Sequence, residues 1–139
     1  MPPFRRTQTQ RRNCMNTLGN FLWILTGGIL VFLFYLFGSV ILMITIVGIP
    51  FGVQTLKLAA FSLFPFGKTV RHGERASGCL YLLMNILWIL FAGIELAVLH
   101  LVLALLCAIT IVGIPFAAQH IKMAGLALVP FGCDVVEER

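Results

Sequence analysis

Thr45-Ile-Val-Gly-Ile-Pro-Phe51 recurs 65 positions later in the chain as Thr110-Ile-Val-Gly-Ile-Pro-Phe116. The similarity extends outward on both sides, since residues 14–70 align with residues 79–135 without a gap and 26 of the 57 aligned positions are identical. In each copy the heptapeptide is followed by a Gln, a Lys and a Pro-Phe-Gly triplet. An ungapped offset predicts two tandem copies of one structural unit, with any shared site or pathway where the copies meet.

The composition places the chain in the membrane. Hydrophobic residues make up 60% of it and charged residues only 11%, with a mean hydropathy of +1.00. A soluble domain carries about 25% charged residues. Two predominantly apolar runs, Leu18–Val47 and Leu80–Val112, comprise 30 and 33 residues, more than the roughly 20 that cross a hydrocarbon core. These features predict an all-α integral membrane protein and exclude a soluble domain.

The distribution of charge predicts the orientation. We divide the chain into a basic tail (1–13), repeat 1 (14–70), a basic linker (71–78), repeat 2 (79–135) and a C-terminal tail (136–139). Short segments rich in Lys and Arg stay cytoplasmic, so the N-terminal tail and the linker are expected inside, and the repeat pattern extends this to the C-terminus. The expected topology is multi-pass, with the lipid bilayer as the main partner.

If both ends of repeat 1 are cytoplasmic, the chain must return within each repeat. Gly48-Ile49-Pro50 suits a reversal, because proline disfavours a helical conformation before it but fits the first turn of a new helix. We therefore predict one long transmembrane helix per repeat, then a shorter returning or re-entrant helix, here from Pro50 to about Phe64. Gly27-Gly28 in the long segment either interrupts the helix or allows a neighbour to pack closely. The Asn and Trp of Asn20-Phe-Leu-Trp23 share a helix face and are interpreted as an interfacial anchor.

The two Gly-Ile-Pro turns carry the leading candidates for function. A helix that begins there directs free N–H groups and the positive end of its dipole towards the turn, and broken helices at membrane depth line cavities or are buried in protein. The candidates for polar lining of an anion-favouring pathway are Thr45, Gly48, Pro50, Gln54 and Lys57, with their equivalents Thr110, Gly113, Pro115, Gln119 and Lys122. The alternative is that Gly-Ile-Pro is only the tight turn of a hairpin, with both lysines bonded to it.

Glu95 is a further candidate, because it is the one acidic residue in the apolar segments and replaces Leu30 of the first repeat. An intramembrane carboxyl group is a functional hypothesis by default. The alternative is a position near the membrane boundary, paired with a basic side chain or water. His100 lies five residues further on, on a different face of the helix, so a proton relay along this one helix is not expected.

Enzyme, metal and cofactor chemistry find no support in the sequence. The histidines, His72, His100 and His120, are scattered, and no nucleophile–base arrangement, carboxylate pair, phosphate loop or metal-ligand spacing is present. The four cysteines are expected as free thiols. We predict no enzymatic activity, no cofactor, no metal and no binding of nucleic acid.

The doubled signature TIVGIPFxxQxxKxAxxxLxPFG, preceded by NxLW, resembles the YccF family of bacterial inner membrane component proteins. The resemblance covers nearly the whole chain beyond the N-terminal tail. It implies a small multi-pass plasma-membrane protein built from two copies of one domain, and it implies no particular activity.

Two functions remain open at this point, and the first is favoured, with an anion as the preferred ion. The first is a homo-oligomeric channel or transport subunit for a small ion or solute, since four short segments hardly enclose a pathway alone. The second is a structural or accessory membrane component that packs against a partner protein. An oligomer axis lined by Gln, Lys and Thr would favour the first function, and an axis lined by Phe and Leu the second.

Overall fold

The computed structural model describes residues 3–73 and 78–138, with side chains from residue 8 onward. Repeat 1 contains α1 (Pro3–Trp23), a π-helical turn (Ile24–Gly28), α2 (Ile29–Met43), α3 (Gly48–Leu63) and β1 (Lys68–His72). Repeat 2 contains α4 (Cys79–Trp88), a π-helical turn (Ile89–Gly93), α5 (Ile94–Ala108), α6 (Ile114–Leu128) and β2 (Cys133–Glu137). The predicted fold class, a helical membrane protein of two tandem repeats, is confirmed.

The first helices of each repeat join into one long apolar segment. Gln8–Met43 and Cys79–Ala108 are each long and apolar enough to cross a membrane. In the first copy the π-helical turn is distorted at Gly27, whose φ of 135° lies in a region that L side chains rarely adopt. Ala92 replaces this glycine, and the second turn has no such distortion.

Each long segment reverses at the Gly-Ile-Pro motif, as predicted. The new helix begins at Gly48, two residues before the predicted start, and Pro50 lies in its first turn. The hydroxyl group of Thr45 accepts a hydrogen bond of 3.0 Å from the N–H of Gly48, which satisfies one of the free donors of the helix start. A Cβ atom on Gly48 would collide with the carbonyl oxygen of Leu42, so the turn requires glycine here.

A two-stranded antiparallel sheet closes the other end of the molecule, and the sequence did not predict it. Pro65-Phe-Gly67 and Pro130-Phe-Gly132 stop the short helices, and their glycines have φ values of 83° and 81°. The turns lead directly into β1 and β2, which pair so that Val70 lies opposite Val135. We call this the sheet end and the Gly-Ile-Pro end the turn end.

The repeats are related by a pseudo-two-fold axis that runs lengthwise through the molecule. Residues that are equivalent in the two repeats meet on this axis, as Val70 meets Val135 in the sheet and Tyr35 meets His100 between α2 and α5. Equivalent hydrogen bonds lie on the two sides of the axis. The backbone N–H of Gly73 donates to the carbonyl of Gly132, and the backbone N–H of Glu138 donates to the carbonyl of Gly67, both at 2.8 Å. The hairpins are therefore parallel, with both turns at one end.

Packed side chains fill the interior. Leu58, Phe61, Met123 and Leu126 are at most 1% exposed. Trp23 packs on Phe116 and, reciprocally, Trp88 on Phe51, with ring centroids 5.9 and 6.1 Å apart. The axis of a single protomer is thus occupied by aromatic and apolar groups.

Candidate functional site

Lys57 lies in α3 but extends towards the sheet end of the other repeat. Its half-buried ammonium group donates hydrogen bonds to the carbonyl of Pro130 and, at 2.7 Å, to that of Cys133. Carbonyl groups just beyond a helix C-terminus carry negative partial charge and suit an ammonium group. Lys57 thus faces protein and joins the two repeats.

Lys122 makes the pseudo-symmetric contact. Its ammonium group donates to the carbonyl of Lys68, the equivalent of Cys133, at 3.0 Å, and forms an ion pair with Glu138 at 2.9 Å. Neither lysine reaches a Gly-Ile-Pro turn, so the idea that both are bonded to the turns is wrong. Their side chains extend to the opposite end because the nearest free carbonyl groups follow the Pro-Phe-Gly stops.

The threonine hydroxyl groups of the two Gly-Ile-Pro turns form hydrogen bonds within the turns. As in the first repeat, the hydroxyl group of Thr110 accepts a hydrogen bond of 3.1 Å from the N–H of Gly113. Pro115 lies in the first turn of α6, as Pro50 does in α3. Around these caps the turns are apolar and open, with Ile46 and Ile111 both 87% exposed. The candidates at the turn end and the two lysines therefore do not converge on one site.

Gln54 and Gln119 differ from the other candidates because their side-chain amide oxygens accept no hydrogen bond from the described residues. Gln119 is 7% exposed, and the amide oxygen of each glutamine is buried without a hydrogen-bond partner among the described residues. A buried unpaired acceptor is costly. These two equivalent oxygens remain available to a ligand or water.

Glu95 is exposed near the middle of the continuous helical segment Cys79–Ala108 and not at a free helix end. The expected basic partner is missing within the described residues, where Lys122 and Glu138 form the ion pair that is found. Glu95 lines a lateral cleft between the repeats, together with Tyr35 and Trp88.

The structure brings together two histidines that the sequence analysis left scattered. The Nδ1 atoms of His100 and His120 are 3.1 Å apart, and Nε2 of His100 is hydrogen-bonded to the hydroxyl group of Tyr35. All three side chains are at least 94% buried. Tyr35, His100 and His120 thus form a hydrogen-bonded row. The sequence repeat could have predicted the contact between Tyr35 and His100, because they are equivalent residues and equivalent residues can meet on a two-fold axis.

The Asn-x-Leu-Trp motif is a structural element of the core, and its interpretation as an interfacial anchor is wrong. Trp23 and Trp88 are 3% and 2% exposed, and their indole N–H groups donate to the carbonyls of Ser62 and Ala127 at 2.7 and 2.6 Å. Asn85 donates to the carbonyl of Phe131 and accepts from its N–H, both at 3.0 Å. Asn20 does the same to Phe66. The motif thus holds the end of the short helix and the Pro-Phe-Gly turn.

All four cysteines are free thiols. Cys14 and Cys79 are exposed, whereas Cys133 in β2 is buried and lies 3.3 Å from Nδ1 of His72. Burial raises the pKa of the Cys133 thiol, the ammonium group of Lys57 partly offsets this effect, and Asp134 reinforces it. Within the described residues no group of three or more His, Cys, Asp or Glu could hold a metal ion.

Two lateral clefts of similar size lie between the repeats and are related by the two-fold axis. The first has a volume of about 300 Å³ and is lined by Trp23, Thr26, Phe116 and His120, among others. The second, about 280 Å³, is lined by the equivalents Trp88 and Thr55 and by Glu95. The row of Tyr35, His100 and His120 connects them through the core.

Comparison with known proteins agrees with this duplicated architecture. The sequence profile of YccF, described as an inner membrane component domain, matches residues 18–68 and again residues 83–133. Inner membrane protein YccF of Escherichia coli (strain K12) is 29% identical over 130 residues, which cover 88% of each chain. The protein of the same name from Shigella flexneri gives the same values, and no solved structure matches. The chain belongs to the YccF family and carries two copies of its inner membrane component domain.

Proposed function

We propose that this protein is a non-conducting accessory component of the inner membrane that acts by lateral packing against a partner membrane protein. The observation that carries the proposal is the use of its two intramembrane lysines. Lys57 and Lys122 are hydrogen-bonded to backbone carbonyls of the opposite repeat. Their ammonium groups therefore hold the two repeats together and do not line an anion pathway.

The outer surface supports the same conclusion. Large apolar side chains on α2 and α5 face outward, including Phe34 at 60%, Phe37 at 70% and Leu105 at 68% exposure. An oligomer assembled through these faces would have an axis of Phe and Leu, the arrangement that favours a structural role. Enzymatic activity forms no part of this proposal.

The proposed topology places the sheet end in the cytoplasm. Among the charged side chains that the structure describes, all except Glu95 belong to the sheet end or extend towards it, and the turn end carries only apolar residues and two threonines. α3 comprises 16 residues, a length of about 24 Å against about 30 Å for the hydrocarbon core. Both hairpins therefore enter from the cytoplasmic side, and their turns lie at or below the opposite interface.

Ion flux into liposomes tests the non-conducting role. The purified protein is reconstituted at high density, and chloride and proton fluxes are followed with entrapped fluorescent indicators. The expected rates equal those of protein-free liposomes, with an added ionophore as the positive control. A protein-dependent chloride flux that falls in the double variant K57M/K122M would contradict the proposal.

A homo-oligomeric transport subunit for a small ion remains the second candidate, favoured by the unpartnered amide oxygens of Gln54 and Gln119. These groups would line a pathway only if a neighbouring copy enclosed them. Flux that is abolished in Q54L/Q119L while the oligomer persists would establish this function, and absence of flux from the native protein would exclude it for the ions measured.

Cysteine labelling tests the topology. In a cysteine-free background, a single cysteine at Ser77 in the linker is exposed to a membrane-impermeant maleimide from either side of sealed vesicles. Labelling from the cytoplasmic side alone is expected. Labelling from the periplasmic side would place the sheet end outside and contradict the proposed topology.

A further inference from the structure

The two lateral clefts are equivalent in the fold but different in their chemistry. His120 in the first cleft replaces Thr55 of the second, and Leu30 replaces Glu95. Gly27, with its φ of 135°, borders the first cleft, and a Cβ atom at this position would meet nothing within 4 Å. The first cleft thus carries an imidazole and no carboxylate, whereas the second carries Glu95 and no imidazole.

Hydrogen bonding in the core fixes which group His120 presents to this cleft. The buried hydroxyl group of Tyr35 has no acceptor among the described residues other than Nε2 of His100. The hydroxyl group therefore donates its proton in a hydrogen bond to this nitrogen atom. His100 must then carry its own proton on Nδ1 and donate it to Nδ1 of His120. His120 is left with an N–H group at Nε2.

That N–H group has no partner in the described part of the chain, and the geometry of imidazole directs it away from Nδ1 and His100. His120 lines the first cleft, where Trp23 packs on its ring at a centroid distance of 4.8 Å. The cleft therefore offers one hydrogen-bond donor in apolar surroundings. A donor in hydrocarbon is stabilised by an acceptor oxygen and is costly when it is left unpaired.

The walls indicate the shape of the molecule that would supply this oxygen. Trp23, Phe116 and His120 present three aromatic rings, and the volume of about 300 Å³ is at the lower limit for small-molecule sites. Flat rings pack well on aromatic walls. We propose that the first cleft binds a lipid-soluble molecule with one flat ring and a carbonyl oxygen that accepts from Nε2 of His120. Tyr35 and His100 are positioning residues that hold the imidazole in the donating tautomer.

The protein carries a built-in reporter and a matched control, since Trp23 lies in the first cleft and Trp88 in the second, and these are its two tryptophans. The W88F variant leaves Trp23 as the sole indole, and W23F leaves Trp88. Each is reconstituted in lipid nanodiscs and titrated with tetramethyl-1,4-benzoquinone, an indole quencher. Its fully substituted ring has no C–H position to which the thiol of Cys107, also in the cleft, could add.

Saturable quenching of Trp23 is expected, with a linear, unsaturated response of Trp88. Adding H120T to W88F installs the residue of the second repeat and should weaken binding about three- to tenfold, because one hydrogen bond is lost. Adding T26F instead blocks the exposed mouth of the cleft, and it keeps the test valid if H120T does not fold. Each variant is checked by circular dichroism.

Three outcomes would overturn the proposal. The first is linear and equal quenching of both tryptophans, which would show that quinone dissolved in the bilayer quenches them by collision without binding to the protein. The second is saturable quenching that neither H120T nor T26F alters. The third is occupation by a lipid acyl chain, shown when brominated lipids quench Trp23 strongly and the quinone adds only linear, unsaturated quenching.

Discussion

Tyr35 and His100 occupy equivalent positions in the two repeats and stack on each other, with ring centroids 5.7 Å apart and an angle of 16° between the planes. Their hydrogen bond crosses the pseudo-two-fold axis in the middle of the long helices. Below it, at the sheet end, Val70 and Val135 meet on the same axis. The duplication in the sequence is thus a symmetry of the fold, broken on the axis itself by an unlike pair.

Removing the asparagine of either Asn-x-Leu-Trp motif should destabilise the protein. N20L and N85L each leave one N–H and one carbonyl of the Pro-Phe-Gly turn without a partner. Each variant should lose about 1–3 kcal/mol, measured by reversible unfolding in mixtures of SDS and dodecylmaltoside. The exposed Asn13 is the control, and N13L should change stability by less than about 0.5 kcal/mol. Equal effects at Asn13 and Asn85 would refute the structural role of the motif.

Replacing the two lysines with methionine should destabilise the protein to different extents. K57M removes charged hydrogen bonds to two carbonyl groups of the other repeat and is expected to cost about 2–3 kcal/mol. K122M is expected to cost less, because the Lys122 side chain is 30% exposed and one of its two partners is a 44% exposed carboxylate. The same unfolding measurement compares them, and a larger loss for K122M would contradict this order.

Two glycine substitutions should have effects of opposite sign. Gly67 has a φ of 83° in the Pro-Phe-Gly turn, and an added Cβ would lie 2.7 Å from the side-chain nitrogen of Asn16. G67A should therefore cost about 1–2 kcal/mol. Gly125 is in α6 with free space around its Cα, so G125A should raise the free energy of unfolding by about 0.5–1 kcal/mol. Stabilisation by G67A would show that the turn is not built as described.

The thiols should differ in their reactivity. A thiol reacts as the thiolate, and burial raises the pKa of Cys133, so less thiolate is present at pH 7 than for an unperturbed cysteine. Under native conditions Cys133 should react with maleimide at least tenfold more slowly than the exposed Cys14, with the rate rising with pH. Mass spectrometry of peptides after timed quenching measures both rates, and equal rates at pH 7 would be inconsistent with a buried Cys133.

Proline and glycine made the hairpin predictable. Pro50 and Pro65 bracket the short helix, and the ungapped repeat transfers these boundaries to the second copy, so helix order and turn positions followed from local backbone chemistry. The strands were missed because each has five residues and owes its stability to pairing with the other repeat. Such pairing leaves little local signal.

The arrangement of the candidate residues was less predictable. Trp23 has the spacing of an interfacial anchor, but its indole donates to a carbonyl 39 residues away, and this partner is not visible along one helix. His100 and His120 lie on α5 and α6, and their contact depends on how these two helices pack, which the spacing along either helix does not show. The long side chain of Lys57 could reach either end, and sequence alone gave no means to choose.

Disulfide formation between paired cysteines tests whether the two hairpins are parallel and joined across a two-fold axis. In a background with the four native cysteines replaced by serine, V70C/V135C places two thiols on directly opposed residues, where Cα separations of about 4.5–5.5 Å permit a disulfide. Rapid intramolecular oxidation is expected, while the register control V70C/E137C, two residues out of register, stays reduced. If V70C/V135C remains reduced, oxidises no faster than the control, or yields only intermolecular dimers, the parallel arrangement is wrong.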